Sequence, residues 1–183
     1  FHMVDADDAD LDVVASCGCA IVHNPASNMK LASGVAPIAK MLARGISVSI
    51  GTDGPASNNA QNLFRDMHLA SLLQKVERRD PLQLPAQTAL DLATRGGAAA
   101  LHDPDIGSLE PGKRADFIAL DLTEPNLQPV HNIVSNIVYA ATGMENRLTV
   151  VDGRVLYQDG EFKTLDYPRL RHEMRGIRDW AGR

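Results

Sequence analysis

Three side chains able to hold a metal or move a proton each stand at the end of a short apolar run. They are His2 in "FHMV", His23 in "CAIVHNP" and Asp53 in "SVSIGTDGPASNN". A carboxylate can ligate a hard or borderline cation and can also accept a proton, and an imidazole can stabilise charge that develops in a reaction. After Asp53 come Gly54, Pro55, Ala56, Ser57, Asn58 and Asn59, which are small or carry uncharged donors and acceptors. Small residues let backbone and substrate approach closely. The same residues are turn formers, so Asp53 taken alone reads equally well as the cap of a turn or of a helix start. Asn59 likewise serves either the site or the start of the helix near Asn62.

The elements that must position these groups favour the chemical reading. Residues 1–4 read as the end of a strand. Acids then precede the apolar positions Leu11, Val14 and Ala15, which predicts a helix stopped by Gly18. "CAIVHNP" predicts a strand over Cys19–His23, broken at Pro25, with Asn24, Pro25, Ser27 and Asn28 shaping a loop. A helix follows over Ala36–Arg44, then the strand "ISVSIGTD". Next comes an amphipathic helix with Leu63, Met67, Ala70 and Leu72 or Leu73 on its inner face, and one further helix through "LPAQTALDLATRGGAAALH". Strands alternating with helices imply right-handed βαβ units and a parallel sheet. His2, His23 and Asp53 then fall at equivalent strand ends, the face on which a (β/α)8 barrel builds its active site. His68, His102, His131 and His172 lie on helices or in the later region and receive no catalytic role.

Beyond about residue 103 the texture changes. A strand over Asp116–Leu120, a hairpin with Asp152-Gly153 at its tip and a second turn at Asp159-Gly160 predict a β-rich unit. Embedded in it, residues 131–142 read as a helix with Ile133, Ile137, Val134 and Val138 inward. A basic helix over Pro168–Ala181, packed by Leu170, Met174, Ile177 and Trp180, closes the chain. The expected division is residues 1–103, 104–165 and 166–183.

The bulk composition narrows the function classes. A net charge of −5 and only four Phe, one Trp and three Tyr argue against a nucleic-acid-binding face. Cys17 and Cys19 are the only cysteines, and their C-x-C spacing completes neither a redox motif nor a zinc site. They read as reduced residues in a reducing compartment, hence the cytoplasm. No apolar run of about 18 residues and no signal peptide is visible, so no membrane role is expected. H-x-H and H-E-x-x-H are both absent, and a catalytic zinc needs three protein ligands. The chain opens on a strand end without an initiator Met, and is expected to be the C-terminal part of a longer protein.

Three stretches in order, "VHNPASNMKLASGVAP", "GTDGPASNN" and "GSLEPGKRADFIALD", resemble the C-terminal half of the amidohydrolase superfamily. The group resembled holds the methylthioadenosine/S-adenosylhomocysteine deaminases and the s-triazine hydrolases. The resemblance covers nearly the whole chain. It implies an α/β fold: the C-terminal part of a metal-dependent (β/α)8 barrel, part of a small β-sandwich and a C-terminal helix. It implies one divalent metal ion, zinc first and iron second. By motif, Asp53 matches the eighth-strand metal ligand and proton acceptor. His2 matches the sixth-strand histidine that contacts the attacking water or the substrate, and His23 and Ser57 match substrate-binding positions at the barrel mouth. The remaining ligands, an H-x-H and a further His with its nearby Glu, have no counterpart here and are expected N-terminal to Phe1, on the rest of the barrel. The implied activity is hydrolytic deamination of an aminated purine nucleoside. Guanine-type deamination and triazine hydrolysis are the enzymatic rivals, and a non-catalytic fragment or scaffold is the rival of another class. A homo-oligomer is compatible with all of these.

Overall fold

The computed structural model describes residues 1–181, with side chains through Ile177. The first helix, α1 (Asp8–Ser16), is opened by Asp7, whose side chain accepts from Asp10 N at 2.9 Å while Asp10 Oδ2 accepts from Asp7 N at 3.1 Å. This reciprocal pair satisfies donors that no helical carbonyl can reach. Leu11 is buried, Val14 half-buried and Ala15 exposed, so the inner face is narrower than expected. Strand β1 (Ile21–His23) leads into α2 (Pro25–Lys30), α3 (Ile38–Ala43) and strand β2 (Val48–Ile50). The two strands pair in parallel, with Ile21 opposite Val48 and His23 opposite Ile50. All three residues of β2 are buried, as expected of a strand covered on both faces.

The expected strand at residues 1–4 is not formed. His2 and Met3 have φ of 64° and 55°, outside the extended region, and Met3 N turns back to Phe1 O at 2.8 Å. One bond, His2 N to Val22 O at 3.1 Å, still aligns this segment with β1. The stretch after His23 is the helix α2 rather than an open loop, because Pro25 suits a first helical position.

After β2 come α4 (Pro55–Asn58) and the long α5 (Leu63–Arg78). Asn62 caps α5 by accepting from Phe64 N and Arg65 N; Asn59 does not take that role. The buried face of α5 is Asp66, Met67, Ala70, Ser71 and Gln74, whereas Leu63 and Leu72 are 38% and 40% exposed. Met67 and Ala70 lie on the inner face as expected and Leu73 is half-buried, while Leu63 and Leu72 fall outside it. The polar groups turn inward because each has a partner, as with Ser71 Oγ on Leu84 O at 2.7 Å and Gln74 Nε2 on Ala36 O at 2.9 Å.

The expected single helix over "LPAQTALDLATRGGAAALH" is two, α6 (Ala86–Ala93) and α7 (Arg95–Leu101), broken at Thr94 (φ −119°, ψ −83°). Thr94 Oγ1 donates to Leu90 O at 2.8 Å and so competes for the helical ladder. The break aims Gly96 at β2, where a Cβ would run into the Val48 carbonyl oxygen.

Strands β3 (Phe117–Leu120), β4 (Asn146–Val151), β5 (Arg154–Gln158) and β6 (Glu161–Phe162) form an antiparallel sheet in that order. Asp152-Gly153 and Asp159-Gly160 all have positive φ, as tight hairpin turns of this twist demand. Between β3 and β4 lies α8 (Ile133–Tyr139), which buries Val138, half-buries Val134 and Ile137, and leaves Ile133 51% exposed. The last helix, α9 (Tyr167–Ala181), is not packed as expected. Leu170, Met174 and Ile177 are 43%, 55% and 54% exposed, and the side chain of Trp180 lies outside the described residues. The core joins Leu11, Ile38, Met41, Val48, Met67, Ala89, Leu92 and Val138 around the parallel pair.

The two glycines of α7 give opposite expectations. Gly96→Ala forces backbone apart and should cost about 1–3 kcal/mol, the range of overpacking. Gly97 faces open space, so Gly97→Ala should gain about 0.5–1 kcal/mol from helix propensity. Urea unfolding of the two variants checks this; equal effects would show that α7 does not rest on β2 through Gly96.

Candidate active site

The carboxylate of Asp53 lies just beyond β2. Its backbone has φ of 59°, a left-handed conformation that Asp tolerates better than most residues. Gly51, two residues earlier, lets the ends of the parallel strands close up. A Cβ there would stand 2.5 Å from Asn24 Oδ1 and 2.7 Å from Val22 Cγ1. The loops after β1 and β2 are thereby brought together, and Lys30 Nζ ties them by donating to Ala56 O at 2.6 Å.

Both loops deliver a hydroxyl to Asp53. Ser27 Oγ, from α2, donates to Oδ2 at 2.6 Å, and Ser57 Oγ, from α4, donates to the same oxygen at 2.8 Å. Gly54 N donates to Oδ1 at 2.8 Å. Bonds to the charged form stabilise it. The Ser27 bond first, then Ser57 and Gly54, hold the carboxyl at about 2, against an ordinary 3.8. Asp53 is therefore ionised at neutral pH, the state in which a carboxylate ligates a cation or accepts a proton.

His2 Nε2 stands 3.9 Å from Asp53 Oδ2, with the two side chains 37% and 34% exposed. His2 Nδ1 lies 2.7 Å from Asn28 Oδ1. An amide oxygen only accepts, so Nδ1 carries a proton and Nε2 is the atom turned toward Asp53. The separation is too long for a direct hydrogen bond. His23 lies elsewhere than expected: its ring is wholly buried rather than at the mouth. Burial, reinforced by the charge of His2, lowers it to about 4, so it is neutral at pH 7. Both its ring nitrogens and Asn28 Nδ2 are buried without a partner among the described residues. That polar capacity beside His2 is unused by the fold itself.

Asp53 fits a divalent cation in charge and ionisation state. Among the described residues, however, no three His, Cys, Asp or Glu side chains are grouped to hold a metal, and three is the number a catalytic zinc takes. The structure thus brings His2, Asp53 and Ser57 into one constellation, adds Ser27 and Asn28 to it, and sets His23 beneath. An apolar groove of about 360 Å³, lined by Leu63, Phe64, Met67, Ile118, Leu120 and Ile137 among others, is not bordered by any of them.

The serine bonds set the titration of Asp53. A folded-state value below the unfolded one means that their stabilisation is present above pH 3.8 and lost as pH falls through about 2. In metal-free protein, carboxyl NMR should find the Asp53 midpoint near 2, and raised once Ser27→Ala and Ser57→Ala are combined, with the Gly54 bond still acting to lower it. A midpoint unmoved by both changes would remove the serines as its cause.

The sequence matches the amidohydrolase family over residues 2–156. A 5-methylthioadenosine/S-adenosylhomocysteine deaminase of Nitratidesulfovibrio vulgaris is 58% identical over 180 residues, which are 98% of this chain and 41% of that protein. The chain thus spans about two fifths of the curated relatives it matches. Among solved structures, a zinc-bound adenosine deaminase from Xanthomonas campestris superposes with a TM-score of 0.94 at 37% identity, over 97% of this chain and 41% of that one. A zinc complex of atrazine chlorohydrolase from Arthrobacter aurescens superposes with a TM-score of 0.88 at 32% identity, over 96% and 39%. With sequence and shape agreeing along nearly its whole length, the chain belongs to the amidohydrolase family.

Proposed function

We propose that this chain forms the C-terminal part of a metal-dependent (β/α)8 barrel, with part of a β-sandwich and a closing helix, in a hydrolytic deaminase. Its substrate is an adenine nucleoside carrying a 5′-thioether, of the methylthioadenosine or S-adenosylhomocysteine type. The observation that carries this reading is the ionised Asp53, held by Ser27, Ser57 and Gly54, with His2 Nε2 facing it at 3.9 Å. The 58% identity to a deaminase of that substrate class, against 32% to a triazine hydrolase, supports the choice of substrate. Guanine-type and triazine chemistry are the alternatives at the same site, and a non-catalytic scaffold is the alternative of another class.

Asp53 would supply one ligand to a divalent cation, zinc before iron, with the other donors coming from the rest of the barrel. When bound, such a cation lowers the pKa of water and so supplies a nucleophile at neutral pH. Asp53 Oδ1, which among the described residues accepts only from Gly54 N, keeps the freer lone pair and would take the proton that the attacking water releases. A carboxyl held near 2 is a weak base, so it passes that proton on to the departing amine. His2, its Nδ1–H fixed on Asn28, would present the Nε2 lone pair as an acceptor for the attacking water, while the electron pair displaced from the amidine C=N goes to the ring nitrogen, which takes a proton from an acid on the rest of the barrel. Carbon 6 of adenine is an amidine carbon, at which water replaces ammonia. Ser57 would shape the mouth against which the ring rests, with His23 buried away from it. The exposed thiols of Cys17 and Cys19 suit a reducing compartment such as the cytoplasm, and no helix of the described residues is long and apolar enough to cross a membrane.

The test is ammonia release by the zinc-loaded full-length protein. The panel is methylthioadenosine, S-adenosylhomocysteine, adenosine, guanine and a chlorotriazine. Turnover of the thioether nucleosides is expected, with adenosine as a slower substrate, because apolar contacts to a thioether tail discriminate modestly. Turnover of guanine or the triazine alone would overturn the substrate class. Asp53→Asn should lower turnover at least ~100-fold; near-normal turnover at full zinc content would remove Asp53 from the mechanism.

A further inference from the structure

Asp66 is wholly buried on the inner face of α5. Its two oxygens reach in two directions. Oδ1 accepts from Ala26 N at 3.2 Å, and Oδ2 accepts from Asn58 Nδ2 at 2.9 Å. Ala26 precedes Ser27 in the chain, and Asn58 follows Ser57. Asn58 Nδ2 also donates to Thr52 O at 2.7 Å, the carbonyl just before Asp53. One carboxylate therefore grips the immediate neighbours of both serines that bond Asp53, and through Asn58 it also grips the residue before Asp53 itself.

We propose that Asp66 is a positioning residue of the active site, whose carboxylate registers the loops after β1 and β2 so that Ser27 and Ser57 both meet Asp53. Packing alone does not explain an acid at this place. A buried carboxylate is costly, and among the described residues no cation lies within ion-pair distance of it. Burial accordingly pushes its pKa up, and the Asn58 and Ala26 bonds act against that push. The chemistry of its partners also explains why an amide would not serve. Ala26 N and Asn58 Nδ2 are both donors, so both oxygens of Asp66 are needed as acceptors. In Asp66→Asn the new NH₂ faces either the Ala26 N–H or the Asn58 NH₂. If Asn58 turns its amide over to accept, Thr52 O loses its donor. No arrangement of the two amides restores all three bonds.

The kinetic part of the test rests on the deaminase reading; the structural part does not. In the zinc-loaded full-length protein, Asp66→Asn should lower kcat about 10-fold with KM within about twofold, because misplaced groups at the reacting centre cost rate rather than uniform binding. Added to the pair Ser27→Ala and Ser57→Ala, it should cost less than about twofold more, since residues acting through one path are not additive. A comparably destabilised Leu92→Ala variant, altered in the core cluster, should keep kcat. The same loss with and without the serines, or an equal loss in Leu92→Ala, would reduce Asp66 to a stability role. If the parent protein turns over nothing, the deaminase reading fails and the crystal structure of Asp66→Asn decides the proposal. Serine–Asp53 separations beyond about 3.5 Å support it, and unchanged bonds overturn it. Should Asp66→Asn not fold, Asn58→Ala cuts the same link from its other end, with the same expected and contrary results.

Discussion

The site depends on a single oxygen. Asp53 Oδ2 accepts a hydroxyl from the loop after each of the two parallel strands. Ser57 lies only four residues beyond Asp53, but Ser27 lies 26 residues before it and comes from α2. The two bonds converge only if β1 and β2 are paired in one register and their exits turn toward each other. The parallel pairing of Ile21 with Val48 is thus a condition for the lowered pKa of the carboxylate, as well as for the core. Fold and chemistry meet at this oxygen because a charge so stabilised needs donors already in place before any ligand arrives.

The absence of side chains at two positions sets that register. Gly51 lets the end of β2 lie against Asn24 and Val22, and Gly96 lets α7 rest on the backbone of β2 itself. Around these close approaches the buried face of α5 is partly polar. Asp66, Ser71 and Gln74 fasten three separate segments to one helix. A helix lined only with leucine would bury as much apolar area and specify less, since apolar contact does not select among neighbouring registers as a directional bond does.

Much of this was legible in the residues. The alternation of strands and helices, the placement of Asp53 just beyond a strand, and the hairpin turns at Asp152-Gly153 and Asp159-Gly160 all follow from local pattern and turn chemistry, whereas the strand expected before His2 does not form. What escaped depends on partners far along the chain. The polar half of the inner face of α5 escaped because polar residues look solvent-facing until a distant carbonyl or amide claims them. Asp66 had one local sign, its place on the same helical face as Met67 and Ala70. The break at Thr94 and the burial of His23 had no such sign, since both follow from what packs against them. The exposed apolar row of α9 shows the reverse limit: periodicity predicts an apolar face but not what covers it.

Asp53 is held at φ 59°, a conformation closed to β-branched residues and costly for most others. Selection at this position therefore acts through two filters at once, one chemical and one conformational. The residue that passes the conformational filter best, apart from glycine, is asparagine, which a single nucleotide change in an aspartate codon produces. Loss of the charge can then occur with the loop geometry intact. In a lineage released from selection for turnover, the shortest path leads to a folded, inactive relative. Such a protein would keep every glycine and serine of the neighbourhood, and a motif search that ignores this one position would not tell it from an enzyme.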